Sequence, residues 1–241
     1  MMDFIMLHRQ LEAMHRLPSY AARAEDTNEV ASSRDRLTIA LSCEAGVPVE
    51  EVAREVSTRL GWPVYNHELL KRIAEAMHCS VTVLEQLDEK HHSWLPECLG
   101  GFASPGLSQS QYACRLIQFI QSLGAEGRCL IVGRGAAFVL PWHSTLRIHL
   151  IGYLEDRIAS LGRRFHLDRL KAQRCVRELD WEQNRFIRDY FGSDLAKPRN
   201  YDLVVNTSEW SAAACATLIL RALQAKALAN IPGRRCSLPA E

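Results

Sequence analysis

The sequence carries almost no net charge: over 241 residues the formal balance is +1 at pH 7. A general nucleic-acid or membrane-surface role needs a strongly basic face, so the balance argues against both kinds of partner. No apolar run approaches the roughly 20 residues of a bilayer span. The amino terminus lacks the signal-peptide order of positive charge, apolar stretch and small-residue cleavage site, and the expected location is cytoplasmic. The eight cysteines, at 43, 79, 98, 114, 129, 175, 215 and 236, never form C-x-x-C and sit inside otherwise apolar segments. That pattern predicts reduced, buried thiols rather than disulfides or a zinc site. His91 and His92 beside Glu89 and Cys98 lack a matching second ligand pair, so no metal site is predicted there.

Apolar content, by contrast, is ample at 47%, enough for one large α/β domain with insertions or for two small ones. The chain is organised around Leu37 to Trp62. Leu37-Thr38-Ile39-Ala40-Leu41 is short, apolar and partly β-branched, as in a strand covered on both faces. Val49, Val52, Ala53, Val56 and Leu60 then recur at helical spacing, with Glu50, Glu51, Arg54, Glu55 and Arg59 opposite. A strand entering a helix through a tight turn is where α/β proteins bind phosphate, through unpaired amides and the helix dipole.

Glycine is scarce where such a site would need it. The turn reads Cys43-Glu44-Ala45-Gly46-Val47-Pro48-Val49. It has one glycine, a proline with no amide to donate, and Glu50 and Glu51 placing negative charge at the helix start. An ordinary strand-to-helix turn and a nucleotide site are both open on this stretch alone.

Further along, Cys129-Leu130-Ile131-Val132 predicts a buried strand running into Gly133-Arg134-Gly135. This places a guanidinium at the strand end where open α/β folds bind ligands, and arginine grips phosphate bidentately. A surface arginine in a turn is the plain alternative. Leu146 to Leu150 predicts a strand, Tyr153 to Phe165 a helix, and Leu167 to Tyr190 a strongly polarised helix. Arg174, Arg177, Trp181, Arg185 and Arg188 fall within an arc of about 80° at about 100° per residue. That stripe is either a solvated face paired with Glu178, Glu182 and Asp189 or a phosphate clamp. Leu203-Val204-Val205 closes the sheet and Glu209 to Ala229 is the last helix. With the brief strand Trp62-Pro63-Val64-Tyr65, five apolar strands separated by helices imply a three-layer α/β sandwich with a five-stranded parallel sheet.

Four blocks, in this order and spacing, resemble the cytidylate-kinase-like family of P-loop nucleoside monophosphate kinases: LTIALSCEAGVPVEEVAREVSTRLGWPVYNHELLKRIAE, IVGRGAAFVL, LRIHLIGYLEDRI and YDLVVNTS. The resemblance implies a P-loop NTPase-like domain over 37–230, with a helical monophosphate-binding insertion at 66–127 and a lid at 154–192. Residues 1–36 would then be an amino-terminal arm and linker, which could serve a homodimer, and 231–241 a frayed tail. It further implies ATP, with Mg2+ through the nucleotide, at a phosphate loop containing Ser42, Gly46, Val47 and Val49. Tyr65, Asn66 and Arg134 would bind the monophosphate, and Arg174, Arg177, Asp180 and Arg185 would be the catalytic residues of the lid. The family's glycine-rich loop stands here as Gly46-Val47-Pro48-Val49, its Tyr-Asp pair as Tyr65-Asn66, and the arginine usual three residues after the lid aspartate as Gln183. The implied function is transfer of phosphate from ATP to a CMP-type nucleotide or related acceptor. The alternatives are a catalytically impaired nucleotide-binding or regulatory protein, and a purely interaction-based role through the amino-terminal arm.

Overall fold

The computed structural model describes residues 36–66 and 109–229. The amino-terminal arm, most of the 66–127 insertion, with its predicted helices, and the tail lie outside them. Strand β1 (Thr38–Cys43) enters helix α1 (Val49–Leu60), followed by the short β2 (Val64–Tyr65). Helix α2 (Gln109–Glu126) leads to β3 (Leu130–Val132), a single-turn helix α3 (Ala136–Val139) and β4 (Thr145–Ile151). Helices α4 (Leu154–Phe165) and α5 (Arg169–Phe191) form a hairpin before β5 (Leu203–Asn206) and α6 (Ala212–Ala229). The expected strands are present; α3, only one turn long, has too few residues to show a helical period.

All five strands are parallel, in the order β2-β3-β1-β4-β5. Parallel neighbours bring every carboxyl-terminal strand end to one side, so Cys43, Tyr65, Val132, Ile151 and Asn206 share an edge. Chain order reverses direction around β1, which makes its end the crevice of the sheet. The ladder of β1 with β4 is the longest, from Thr38 opposite Thr145 to Cys43 opposite Leu150.

Alternation along the strands divides the core in two. Ile39 and Leu41 of β1 and Leu146, Ile148 and Leu150 of β4 pack with Val52, Val56, Ile219 and Leu223 of α1 and α6. On the opposite face Ala40 and Ile131 meet Leu116, Ile120 and Leu123 of α2. Among the described residues, α6 is the one helix long and apolar enough by composition to cross a membrane. Its Cys215, Ala216, Ile219 and Leu223 are nonetheless built into the sheet's core. Cys43, Cys129, Cys175 and Cys215 are free thiols.

A third apolar cluster positions the site. Ile158 and Leu161 of α4 and Ala172, Cys175 and Val176 of α5 close around Ala45, in the turn after β1. The α4–α5 hairpin therefore rests directly on that turn. Helix α5 starts cleanly because the Asp168 carboxylate accepts from the Lys171 amide at 2.9 Å.

Candidate functional site

The turn after β1 is drawn inward. The Glu44 amide donates to Leu150 O at 3.0 Å, extending the β1–β4 ladder by one residue, and the Val47 amide donates to Glu44 O at 3.3 Å. The Val49 amide donates to Val47 O at 2.8 Å. Gly46 sits at φ 86°, and a Cβ there would lie 2.5 Å from the carbonyl oxygen of Arg157. Only glycine allows α4 to approach this closely.

The remaining contacts are ionic. The Ala45 amide donates to Asp180 Oδ1 of α5 at 2.9 Å, and Arg157 Nη1 of α4 donates to Asp180 Oδ2 at 2.7 Å. The same guanidinium nitrogen donates to Ala45 O at 3.2 Å, while Arg157 Nε lies 3.4 Å from Glu44 Oε2. Glu44 Oε2 in turn accepts from the Gly152 amide at 3.1 Å. Arg157 is only 8% exposed, and a buried guanidinium needs anionic partners to offset its lost hydration. Cys43, at the strand end, is made inert: burial, then the charges of Glu50, Asp180 and Glu44, push its thiol up to about 12.

Across the edge, Arg134 adopts φ 57° between Gly133 at 70° and Gly135 at 72°. The Gly133 amide donates to Leu41 O of β1 at 2.7 Å, which ties this turn to the first one. Burial lowers the Arg134 guanidinium to about 10. Tyr65 and Asn66, at the end of the neighbouring β2, are half-buried on the same edge. Behind Ser42, which is buried, the His149 ring stacks on Tyr201 with centroids 4.7 Å apart. The Tyr201 hydroxyl donates to Leu195 O at 2.9 Å. Burial drives His149 down to about 4, against weaker opposing effects of the Ser42 backbone and Asp180.

The structure thus brings Ser42, Gly46, Val47, Val49 and Asp180 together at one turn, with Tyr65, Asn66 and Arg134 along the same strand edge. Val47 and Val49 are buried, with side chains in the core. Arg174, Arg177, Arg185 and Arg188 are on the exposed side of α5. Arg185 pairs with Asp189 at 3.3 Å and lies over the Trp181 ring at 5.2 Å. Gln183 is half-buried, and its Oε1 has no partner.

Sequence reasoning missed Arg157 and Glu44. A signal for Arg157 was present: it lies about 40° from Leu161 on a helical wheel, a charge on an otherwise apolar face of α4. Glu44 gives no comparable signal.

The ATP phosphates that the resemblance places at this turn do not fit the arrangement present. Glu44, Ala45, Val47 and Val49 commit their amides within the protein, and Pro48 has none. The guanidinium beside them already holds a carboxylate. Among the described residues no group of three or more His, Cys, Asp or Glu side chains is placed to hold a metal ion.

Comparison with known proteins places this geometry in a family. The chain is 33% identical over 95 residues to a cytidylate kinase from Methanopyrus kandleri, a match covering 36% of this chain and 49% of that protein. It spans about half the length of that curated relative. A protein of uncharacterised function from Eubacterium ventriosum superimposes with a TM-score of 0.61 at 20% identity, covering 79% of this chain and 99% of that one. A shikimate kinase from Acinetobacter baumannii, solved in complex with shikimate, aligns with a TM-score of 0.48 at 13% identity over 81% of this chain and 97% of its own. The fold is α/β, a five-stranded parallel sheet with helices packed on both faces. The cytidylate kinase-like family matches from residue 38 to residue 209, through the turn, Arg134, the α4–α5 hairpin and β5, and the chain belongs to that family.

Proposed function

We propose that this protein is a nucleotide kinase-like phosphotransferase whose acceptor is a nucleoside monophosphate of the CMP class. The observation that carries the reading is Arg134. It is half-buried just past the carboxyl-terminal end of β3, in a left-handed turn tied to β1. A half-buried guanidinium binds a phosphate monoester more strongly than a fully exposed one, because the charge pair is less screened. Tyr65 and Asn66 flank this position on the strand edge. ATP, with the Mg2+ that accompanies it, is the donor that family membership suggests. Calorimetric titration with CMP tests the acceptor side, and a coupled assay with ATP, magnesium and each common monophosphate tests transfer. Turnover no greater than background with every acceptor would remove the kinase reading.

The closed turn favours a second reading, a nucleotide-binding protein without turnover. It expects CMP to raise the melting temperature while the coupled assay stays silent.

A further inference from the structure

We propose that Asp180 is an internal occupant of the anion position at the Gly46 turn, so that α5 is latched there and must release before a polyphosphate ligand can seat. The proposal deepens the nucleotide-site reading and rests on it. One carboxylate oxygen takes the Ala45 amide at 2.9 Å and the other takes the Arg157 guanidinium at 2.7 Å. A backbone amide and a guanidinium converging on one anion are the donors a phosphate oxygen would use. Here they already serve an anion, carried on a helix 135 residues away in sequence from Ala45.

The rest of the neighbourhood holds the latch shut. Glu44 supplies Arg157 with a second carboxylate at 3.4 Å, so the guanidinium meets two negative charges and offers little attraction to a third. Ala45 is clasped by Ile158, Leu161, Ala172, Cys175 and Val176, so withdrawal of Asp180 also requires apolar contacts to loosen. Glu50, at the start of α1, pairs with Arg164 at 3.0 Å on the surface, a further contact between α1 and α4. A ligand that binds only the released state has its apparent affinity reduced by the fraction of molecules released. The chain would be self-inhibited toward ATP.

Asp180→Asn separates these effects, since the amide oxygen can still accept from Ala45 but carries no charge for Arg157. Calorimetry on the full chain should show ATP binding roughly tenfold or more tighter in the variant, the loss of one charge-assisted competitor, with CMP affinity unchanged. If CMP binds both proteins equally and ATP binds no tighter to the variant, the latch is refuted while the acceptor site stands. If neither nucleotide binds either protein, the nucleotide reading fails and the latch with it. Should Asn not fold, Asp180→Ser removes the same charge. In the wild type, hydrogen exchange of α5 amides around Asp180 should speed up at millimolar ATP; exchange there that is unchanged or slowed with ATP bound overturns the proposal.

Discussion

Arg157 Nη1 on α4 lies 2.7 Å from Asp180 Oδ2 on α5, and the same guanidinium reaches Glu44 and the Ala45 carbonyl in the turn after β1. One buried cation therefore joins the α4–α5 hairpin to the turn after β1. Its charge needs anionic partners, and the two carboxylates need it.

Arg157→Ala should accordingly cost about 2 kcal/mol of stability. This is below the roughly 3–5 kcal/mol for breaking a fully buried pair, because 33% of the Asp180 side chain meets solvent. Adding Asp180→Asn should recover part of the loss, since it removes a carboxylate left unmatched. Urea denaturation of the two single variants and the double variant measures the coupling. Strict additivity would mean that the pair contributes nothing.

Two glycines offer a control on the turn. Gly46 and Gly61 both have positive φ, yet a Cβ at Gly61 meets nothing within 4 Å while one at Gly46 meets the Arg157 carbonyl at 2.5 Å. Gly61→Ala should cost roughly 1–2 kcal/mol for the left-handed backbone alone. Gly46→Ala should cost more, because α4 must also move, and hydrogen exchange at Ala45 should quicken as its bond to Asp180 opens. Equal midpoints for the two variants in denaturant would show that α4 yields freely.

Much of this architecture was legible in the sequence. β1, β3 and β5 are mostly apolar runs of three to six residues, β4 alternates apolar residues with Arg147 and His149, and α1, α4 and α5 have clear helical periods. Gly133-Arg134-Gly135 announces a special backbone because glycine tolerates positive φ. Periodicity also separates the arginines of α5 from its apolar face. It carries no information on which flank of the helix will meet the β1 turn, and Asp180 and Ala45 are 135 residues apart. By periodicity Asp180 is one more polar residue beside a charged stripe, and the family resemblance alone singles it out, as a catalytic residue of the lid. Only the packing of α4 and α5 onto Ala45 gives it a partner.

Arg134→Gly isolates binding from folding. Glycine accepts φ 57° at least as readily as arginine does, so the turn backbone should not be strained. CMP affinity should fall by about 1.5–3 kcal/mol, the range for a hydrogen bond to a charged group. Calorimetry beside a melting curve checks both. Unchanged CMP affinity would make Arg134 a turn residue.

His149 should make the fold acid-sensitive. Its folded value of about 4 lies below the 6.5 of a free imidazole, chiefly because burial disfavours the charged ring. The unfolded chain therefore binds the extra proton first as pH falls. The contribution is complete above pH 6.5 and is lost progressively toward pH 4, by up to about 3 kcal/mol. His149→Phe keeps an aromatic ring against Tyr201 and should flatten the part of the pH–stability curve lying between those values. The same slope in variant and wild type would place the acid sensitivity in other groups.

Replacing the turn with glycine puts the closed arrangement to its hardest test. Pro48→Gly restores a missing amide, and Val49→Gly removes a side chain where the family has glycine. Val49, however, is 7% exposed and packed in the main core with Val47 and Val52. Deleting its isopropyl group should cost roughly 2 kcal/mol or more through lost burial and the cavity left behind. The freed backbone adds unfolded-state entropy of roughly 0.4–1 kcal/mol at each site. Neither change touches the Ala45 amide or Arg157, which Asp180 still occupies. The double variant should therefore melt lower than the wild type, and ATP should not restore it. Combined with Asp180→Asn, the same glycines should add ATP affinity, because the new amides can then face an unoccupied position. A thermal-shift titration of the four proteins decides between the two obstacles. Tight ATP binding by the glycine variant with Asp180 intact would mean that Pro48 and Val49, and not the carboxylate from α5, keep the donor phosphates out.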